Sequence, residues 1–476
     1  MAITNTIKSI QDIMREDTGV DGDAQRISQL TWLLFLKIYD DQEKQYEAFD
    51  SSYKSTIPEE YRWRNWADND EGLTGDNLID FVNNKMFPSL KALKLDNIDD
   101  PRGYIVREVF EDAYNYIKSG TVLRRVINKL NEIDFNQQSD RHQFGDIYET
   151  LLRSLQSACN AGEYYTPRAV TKFVTEMTNP KFGDKVFDPA CGTGGFLVNA
   201  IEYIRANSVK TPEDEKVLEG SIFGVEKKPL PHLLCVTNMI LHGIEVPQNI
   251  RRDNTLTRPT RDYTDKDRVD VILTNPPFGG TEEAGVKGNF PHSYQTTETA
   301  DLFVYLIVHL LKAGGRAGIV LPDSFLSGDG VKARLKELIM EKCNLHTIVR
   351  LPQGVFNPYA GVRTSLFFFT KGEPTKDIWF YEMPLPTGIK QYTKGRPITN
   401  EDFEPVKDWW NNRIENEFAW KVNAEVVKTK NYDLHLSNPS KRADEIHDKD
   451  ELLAEMNQLS SDISELVEKL QKAFKV

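Results

Sequence analysis

The chain has only four cysteines in 476 residues, at positions 159, 191, 235 and 343. None forms a Cys-x-x-Cys pair, which argues against structural zinc, a disulfide framework and a metal site generally. Sparse, scattered thiols suit a reducing cytosol, so a cytoplasmic location is expected. Long apolar runs are missing too. The stretch from Leu30 to Tyr39 is interrupted and too short to cross a bilayer, and the opening Met-Ala-Ile-Thr-Asn-Thr-Ile-Lys lacks the basic and apolar blocks of a signal peptide. A soluble chain with no membrane partner is the expectation. Positive charge is also short, with 59 lysines and arginines against 72 acids and a net charge of −13. Nonspecific affinity for nucleic acid rests on cations that neutralise phosphates, so the overall field of this chain does not supply it. Any role on DNA would rely on affinity borrowed from a partner, with a local basic groove at most. Arg251, Arg252, Lys287 and the stretch Lys390 to Arg396 are candidates for that groove, and each also reads as an ordinary solvated charge.

A chain of this length predicts two or three domains. Residues 1–140 show helical periodicity, with Ile27, Leu30, Leu33, Leu34 and Ile38 on one face and Val122, Val126 and Leu130 on another. Residues 141–425 alternate strands and helices, with strands expected at 185–187, 221–225, 269–274, 316–321, 346–351 and 364–370 and an apolar helix from Asp301 to Leu311. That alternation predicts a Rossmann-like α/β domain on a parallel sheet, with ligands at the carboxyl ends of its strands. Residues 426–476 form a C-terminal region, in which Leu452, Met456, Leu459, Ile463, Leu466 and Leu470 repeat at alternating spacings of four and three. A helix with this narrow seam buries it against another helix, either in its own domain or in a partner.

Function is read most directly from the strand Val-Asp-Val-Ile-Leu-Thr, which runs into Asn275-Pro276-Pro277-Phe278. An exocyclic amine on a base is a poor nucleophile because its lone pair is delocalised into the ring. Two acceptors can draw the pair back onto nitrogen. The amide oxygen of Asn275 is one and the carbonyl of Pro276 the other, since Pro276 and Pro277 together fix the backbone. Phe278 offers an aromatic face for a planar base taken out of a duplex. The same four residues also read as a plain strand-to-loop turn.

Upstream context favours the chemical reading. Lys185-Val186-Phe187-Asp188-Pro189-Ala190-Cys191-Gly192-Thr193-Gly194-Gly195-Phe196-Leu197 passes from a strand through a glycine loop into a helix. Glycines let the backbone approach a ligand, and the helix start presents free N–H groups. The spacing is not that of dinucleotide enzymes. A short Asp-Pro-x-x-Gly-x-Gly loop suits a cofactor without a pyrophosphate, such as S-adenosylmethionine. Glu226, at the end of Ser-Ile-Phe-Gly-Val-Glu, is placed to accept hydrogen bonds from both ribose hydroxyls, after an expected inserted polar loop at 205–219. The thiol of Cys191 needs no role.

With Gly162-Glu163-Tyr164-Tyr165-Thr166-Pro167-Arg168 ahead of the glycine loop, the chain resembles the modification (M) subunits of type I restriction-modification systems, which are gamma-class DNA adenine-N6 methyltransferases. The resemblance implies that Glu163, Tyr164, Tyr165, Thr166, Pro167, Arg168, Asp188, Gly192, Thr193, Gly194, Gly195 and Glu226 surround S-adenosylmethionine. It implies that Asn275, Pro276, Pro277 and Phe278 are catalytic. It further implies that double-stranded DNA is the substrate and that the terminal helix packs on a specificity (S) subunit. A second M subunit would join them in a complex of two M subunits and one S subunit, with a restriction (R) subunit added for cleavage. No segment of the chain looks like a dedicated target-recognition domain, which fits recognition by another polypeptide. The polar loop 279–300 either closes over the base or is a surface loop. A self-sufficient adenine methyltransferase, methylation of another amine or amide, and a noncatalytic scaffold remain alternatives.

Overall fold

The computed structural model describes residues 2–93, 102–133, 135, 166–283, 285–357, 361–440 and, near the carboxyl end, 456, 457, 460, 463, 466 and 467. The first region is helical, as expected. Its principal helices are Ala2–Met14, Asp23–Phe49, Arg102–Glu111 and Gly120–Asn131. The expected stripes, Ile27 to Ile38 and Val122 to Leu130, are buried. From Ile27 to Asp41 the long helix is buried nearly all round, so its polar side chains need partners. Gln29 accepts from the Tyr116 N–H at 2.8 Å, Thr31 donates to the Ile27 carbonyl at 2.6 Å, and Arg64 donates to Asp40 at 2.8 Å. The Ser119 hydroxyl accepts from the Val122 N–H and starts the helix Gly120–Asn131.

The second region holds a nine-stranded sheet: β1 Val186–Asp188, β2 Ile222–Glu226, β3 Ile250–Arg252, β4 Val269–Thr274, β5 Leu311–Pro322, β6 Cys343–Arg350, β7 Thr364–Lys371, β8 Asp377–Glu382 and β9 Ala419–Asn423. Their spatial order is β3-β2-β1-β4-β5-β7-β6-β8-β9. The expected all-parallel sheet is corrected to a mixed one. The run from β3 to β5 is parallel, but β7 is antiparallel to both β5 and β6, and β8 is antiparallel to β9. β7 reads Thr-Ser-Leu-Phe-Phe-Phe-Thr-Lys with its first six residues buried. A strand covered on both faces loses the alternation that marks an antiparallel strand, so its direction was hidden. β3, β8 and β9 were not foreseen.

The expected polar loop at 205–219 is also corrected. The helix Gly195–Ser208 reaches into it, and Pro212–Ser221 forms another helix. Thr211 and Asp214 make a reciprocal capping box there, with Pro212 at the first helical position and Glu213, Asp214 and Glu215 in the first turn.

The helical region braces the sheet on its β3 side. Helix Pro229–Leu241 packs against Asp23–Phe49, and one apolar core runs through both regions. Arg252, at the end of β3, ion-pairs with Glu111 and Asp112. Its backbone N–H donates to Glu108 at 3.3 Å. Among the described residues no helix is long and apolar enough to cross a membrane, and no cluster of three or more metal-ligating side chains is present.

Candidate active site

Strand order reverses between β1 and β4, and ligands of open α/β sheets lie in the crevice at such a switch point, beyond the carboxyl ends of the strands. A cavity of about 360 Å³ occupies that place. The strand ends supply its walls: Asp188 as the last residue of β1, Glu226 as the last of β2, Asp253 and Asn254 after β3, and Asn275 and Pro277 after β4.

Hydrogen bonds from outside hold the glycine loop in place. Gly192 and Gly194 take φ of 52° and 83°, where a side chain is strained, and a Cβ on Gly194 would stand 2.9 Å from both Cys235 Sγ and Met239 Cε. The Asn238 amide donates to the Thr193 carbonyl at 2.9 Å. Arg168 and Asn199 donate to the Gly195 carbonyl at 3.1 and 3.0 Å. Glu226 Oε2 accepts from the Gly192 N–H at 3.0 Å and Oε1 from the Lys228 N–H at 2.8 Å, so both carboxylate oxygens are oriented. Cys191 Sγ lies 3.8 Å from Cys235 Sγ, and the hydrogen bond between them together with burial pushes the Cys191 thiol well up, which keeps it protonated.

Asp188 is 1 % exposed. Its Oδ1 accepts from the Thr274 hydroxyl at 2.6 Å and the Ala190 N–H at 3.0 Å. Burial outweighs these bonds and, with Glu226 nearby, pushes the carboxyl up to about 7. At the end of the neighbouring strand β4 the Asn275 amide nitrogen donates to the Thr166 hydroxyl at 2.9 Å. Asn275 Oδ1 is buried and has no hydrogen-bond partner among the described residues. A buried amide oxygen left unpaired is costly, and this one waits for a donor.

The structure therefore brings together Thr166, Asp188, Gly192, Thr193, Gly195, Glu226, Asn275 and Pro277 on one cavity. Pro167 caps the helix Arg168–Thr178, whose first residue supports the glycine loop from behind. Gly194 shapes the loop without lining the cavity. Pro276 and Phe278 are buried beside it, and Phe278 is 4 % exposed, edge-on to Phe356 with ring centres 6.2 Å apart. Glu163, Tyr164 and Tyr165 lie outside the described residues.

Sequence reasoning missed the β3 end, where Asp253 and Asn254 follow a strand of three residues, too short to show a period. It also missed the apolar wall of Leu230, Leu234 and Phe303, and Glu282, which pairs with Lys227 at 3.3 Å and accepts from Asn254 at 3.2 Å. Asp188, Glu226, Asp253 and Glu282 outnumber Lys227 and Lys228 on the walls, an acid excess that suits a cationic ligand. Of the candidate groove cations, Arg252 is instead paired with Glu111 and Asp112, while Arg251, Lys287, Lys390, Lys394 and Arg396 are exposed.

An unpaired amide acceptor and an acid-rimmed glycine loop on one cavity at the switch point of a Rossmann-like sheet define an α/β methyltransferase core. Comparison with known proteins agrees. The N-6 DNA Methylase family model matches residues 139–448, and the HsdM N-terminal domain model matches residues 3–130. The Type I restriction enzyme EcoEI methylase subunit of Escherichia coli is 56 % identical over 473 residues, covering 98 % of this chain and 96 % of that protein. The EcoKI methylase subunit of E. coli K12 is 30 % identical over 86 % of this chain and 79 % of its own length. A crystal structure of a modification subunit assigned to a type I restriction enzyme of Vibrio vulnificus YJ016 superposes with a TM-score of 0.83 at 43 % identity, covering 92 % of this chain and 97 % of that one. A chain from a study of assembly and conformational transition of the type I system superposes at 0.82 with 38 % identity, covering 100 % of this chain and 98 % of that one. The chain belongs to the methylase subunits of type I restriction enzymes, and its activity is that of an adenine-N6 DNA methyltransferase.

Proposed function

We propose that the cavity between β1 and β4 is where a methyl group passes from S-adenosylmethionine to N6 of an adenine extruded from double-stranded DNA. The observation that carries this reading is Asn275 Oδ1, a buried acceptor without a partner among the described residues on the cavity that the glycine loop also lines. S-adenosylmethionine supplies a methyl group already activated on sulfonium, so the protein contributes positioning and hydrogen bonds. Glu226 is oriented to take the ribose hydroxyls, and Gly192, Thr193 and Gly195 face the cofactor with their backbone. Glu163, Tyr164, Tyr165 and Thr166 complete that side by resemblance. Asn275 Oδ1 and the Pro276 carbonyl draw the N6 lone pair toward tetrahedral nitrogen. For Phe278 to stack on the base its ring must be uncovered on arrival, since it is now 4 % exposed.

The chain works with partners in this reading, in the cytoplasm. A specificity subunit recognises the DNA, a second copy of this chain completes a complex of two methylase subunits and one specificity subunit, and a restriction subunit joins for cleavage. A net charge of −13 and the exposed Met456, Ile463 and Leu466 of the terminal helix favour assembly over solitary action. The test is methyl transfer from labelled cofactor to unmethylated DNA with and without the specificity subunit, followed by nucleoside analysis. N6-methyladenine formed only with the partner is expected. Asn275→Ala should abolish product while cofactor still binds in calorimetry, and near wild-type turnover by this variant would overturn the assignment.

A further inference from the structure

Asn275 can present either end of its amide to the target base, and the two ends have opposite meaning. Oδ1 accepts from an amino group, whereas Nδ2 turned inward would point two N–H donors at it. The described structure has one side-chain partner for this amide, the Thr166 hydroxyl, which accepts from Nδ2 at 2.9 Å and leaves Oδ1 buried and unpaired. Thr166 is 9 % exposed and sits on the chain segment just ahead of the helix Arg168–Thr178, far in sequence from the catalytic strand. We infer that Thr166 is a positioning residue that holds the Asn275 amide in place at the cavity, with its buried and unpaired oxygen left for the amino group of the incoming base. This rests on the reading of the cavity proposed above and goes beyond the cofactor contact that resemblance implies for Thr166.

Removing the hydroxyl leaves Nδ2 as a buried donor without a side-chain partner and frees the amide to turn away from the position that meets the base. Thr166→Val is nearly isosteric and removes only the hydroxyl. Loss of a buried hydrogen-bond partner of this kind predicts a fall in kcat of about 10- to 100-fold for the assembled methylase, a larger loss than in cofactor affinity. Thr166→Ser keeps the hydroxyl and should restore most of the rate.

Wild-type kcat in Thr166→Val would overturn the inference, as would a loss confined to cofactor affinity, which would make Thr166 a cofactor contact only. If Thr166→Val does not fold, a Thr166→Ser enzyme with the rate of Asn275→Ala is the overturning result. The underlying reading fails separately, by absence of cofactor binding to the wild type or by turnover in Asn275→Ala.

Discussion

Asp188 sits in an environment far from the usual for its type. It is a carboxyl at the start of the glycine loop, held by Thr274 and Ala190 yet pushed up to about 7 by burial. Its unfolded value is near the ordinary 3.8. The native state therefore keeps a proton that the unfolded chain gives up between these values. The stability this lends is complete below about pH 4 and is lost as pH rises through about 7, after which the curve is flat. Asp188→Asn keeps an oxygen for the Thr274 and Ala190 donors and removes the titration. Its melting temperature relative to wild type should rise between about pH 5 and about pH 8, and parallel curves would show that Asp188 is already ionised. A cationic cofactor pulls the same equilibrium the other way, since positive charge favours the carboxylate. Cofactor affinity of the wild type should accordingly strengthen with pH across about 6 to 8, with a proton released in calorimetry, and that slope should vanish in Asp188→Asn.

At the scale of elements, the segment after Asn275-Pro276-Pro277-Phe278 is fastened at its neck. Thr281 and Glu298 form an antiparallel bridge, the Glu282 N–H donates to the Thr297 carbonyl at 3.0 Å, and the Thr299 N–H donates to the Gly280 carbonyl at 3.2 Å. Glu282 then ties this neck to Lys227 after β2 and Asn254 after β3. Glu282→Ala should raise hydrogen exchange across 281–298 and weaken cofactor binding by about 3- to 10-fold, in keeping with loss of one charge-assisted contact. Unchanged exchange would mean that the neck is held by its backbone alone. The sequence showed a polar loop here but gave no sign of its fastening, because pairing of two short polar segments leaves no hydrophobic period to read. Strand β4 was legible to the residue because five of its six positions are buried, four of them Val, Ile or Thr, and Asn275-Pro276-Pro277 closes it. The glycine loop and Asn275 were legible because their chemistry needs particular residue types. β3 has three residues and depends on its neighbours, and the direction of β7 is set by tertiary pairing, so neither could be seen locally.

At the scale of the whole molecule, the charge and the terminal helix point to the same arrangement. The chain is acidic overall, and Arg252, a candidate for the DNA groove, is engaged with Glu111 and Asp112 in joining the helical region to the end of β3. Affinity for phosphates must then come largely from elsewhere. Near the carboxyl end Met456 is 66 %, Ile463 61 % and Leu466 59 % exposed, while Leu452, Leu459 and Leu470 of the expected seam lie outside the described residues. A seam of this kind stays in water only until a second helix covers it, and covering each large aliphatic side chain contributes about 1.5–3 kcal/mol. Placing glutamate at both positions in Ile463→Glu/Leu466→Glu would put two charges into that contact, at a cost of several kcal/mol or about a thousandfold in association. The doubly substituted chain should melt with the wild type and bind cofactor equally well, because neither residue touches the cavity or the core. In size-exclusion chromatography with light scattering it should fail to co-elute with the specificity subunit, and DNA methylation should fall with the lost complex. Co-elution at wild-type stoichiometry would place the subunit contact elsewhere on the chain, and a lowered melting temperature would show that the seam folds back onto its own domain.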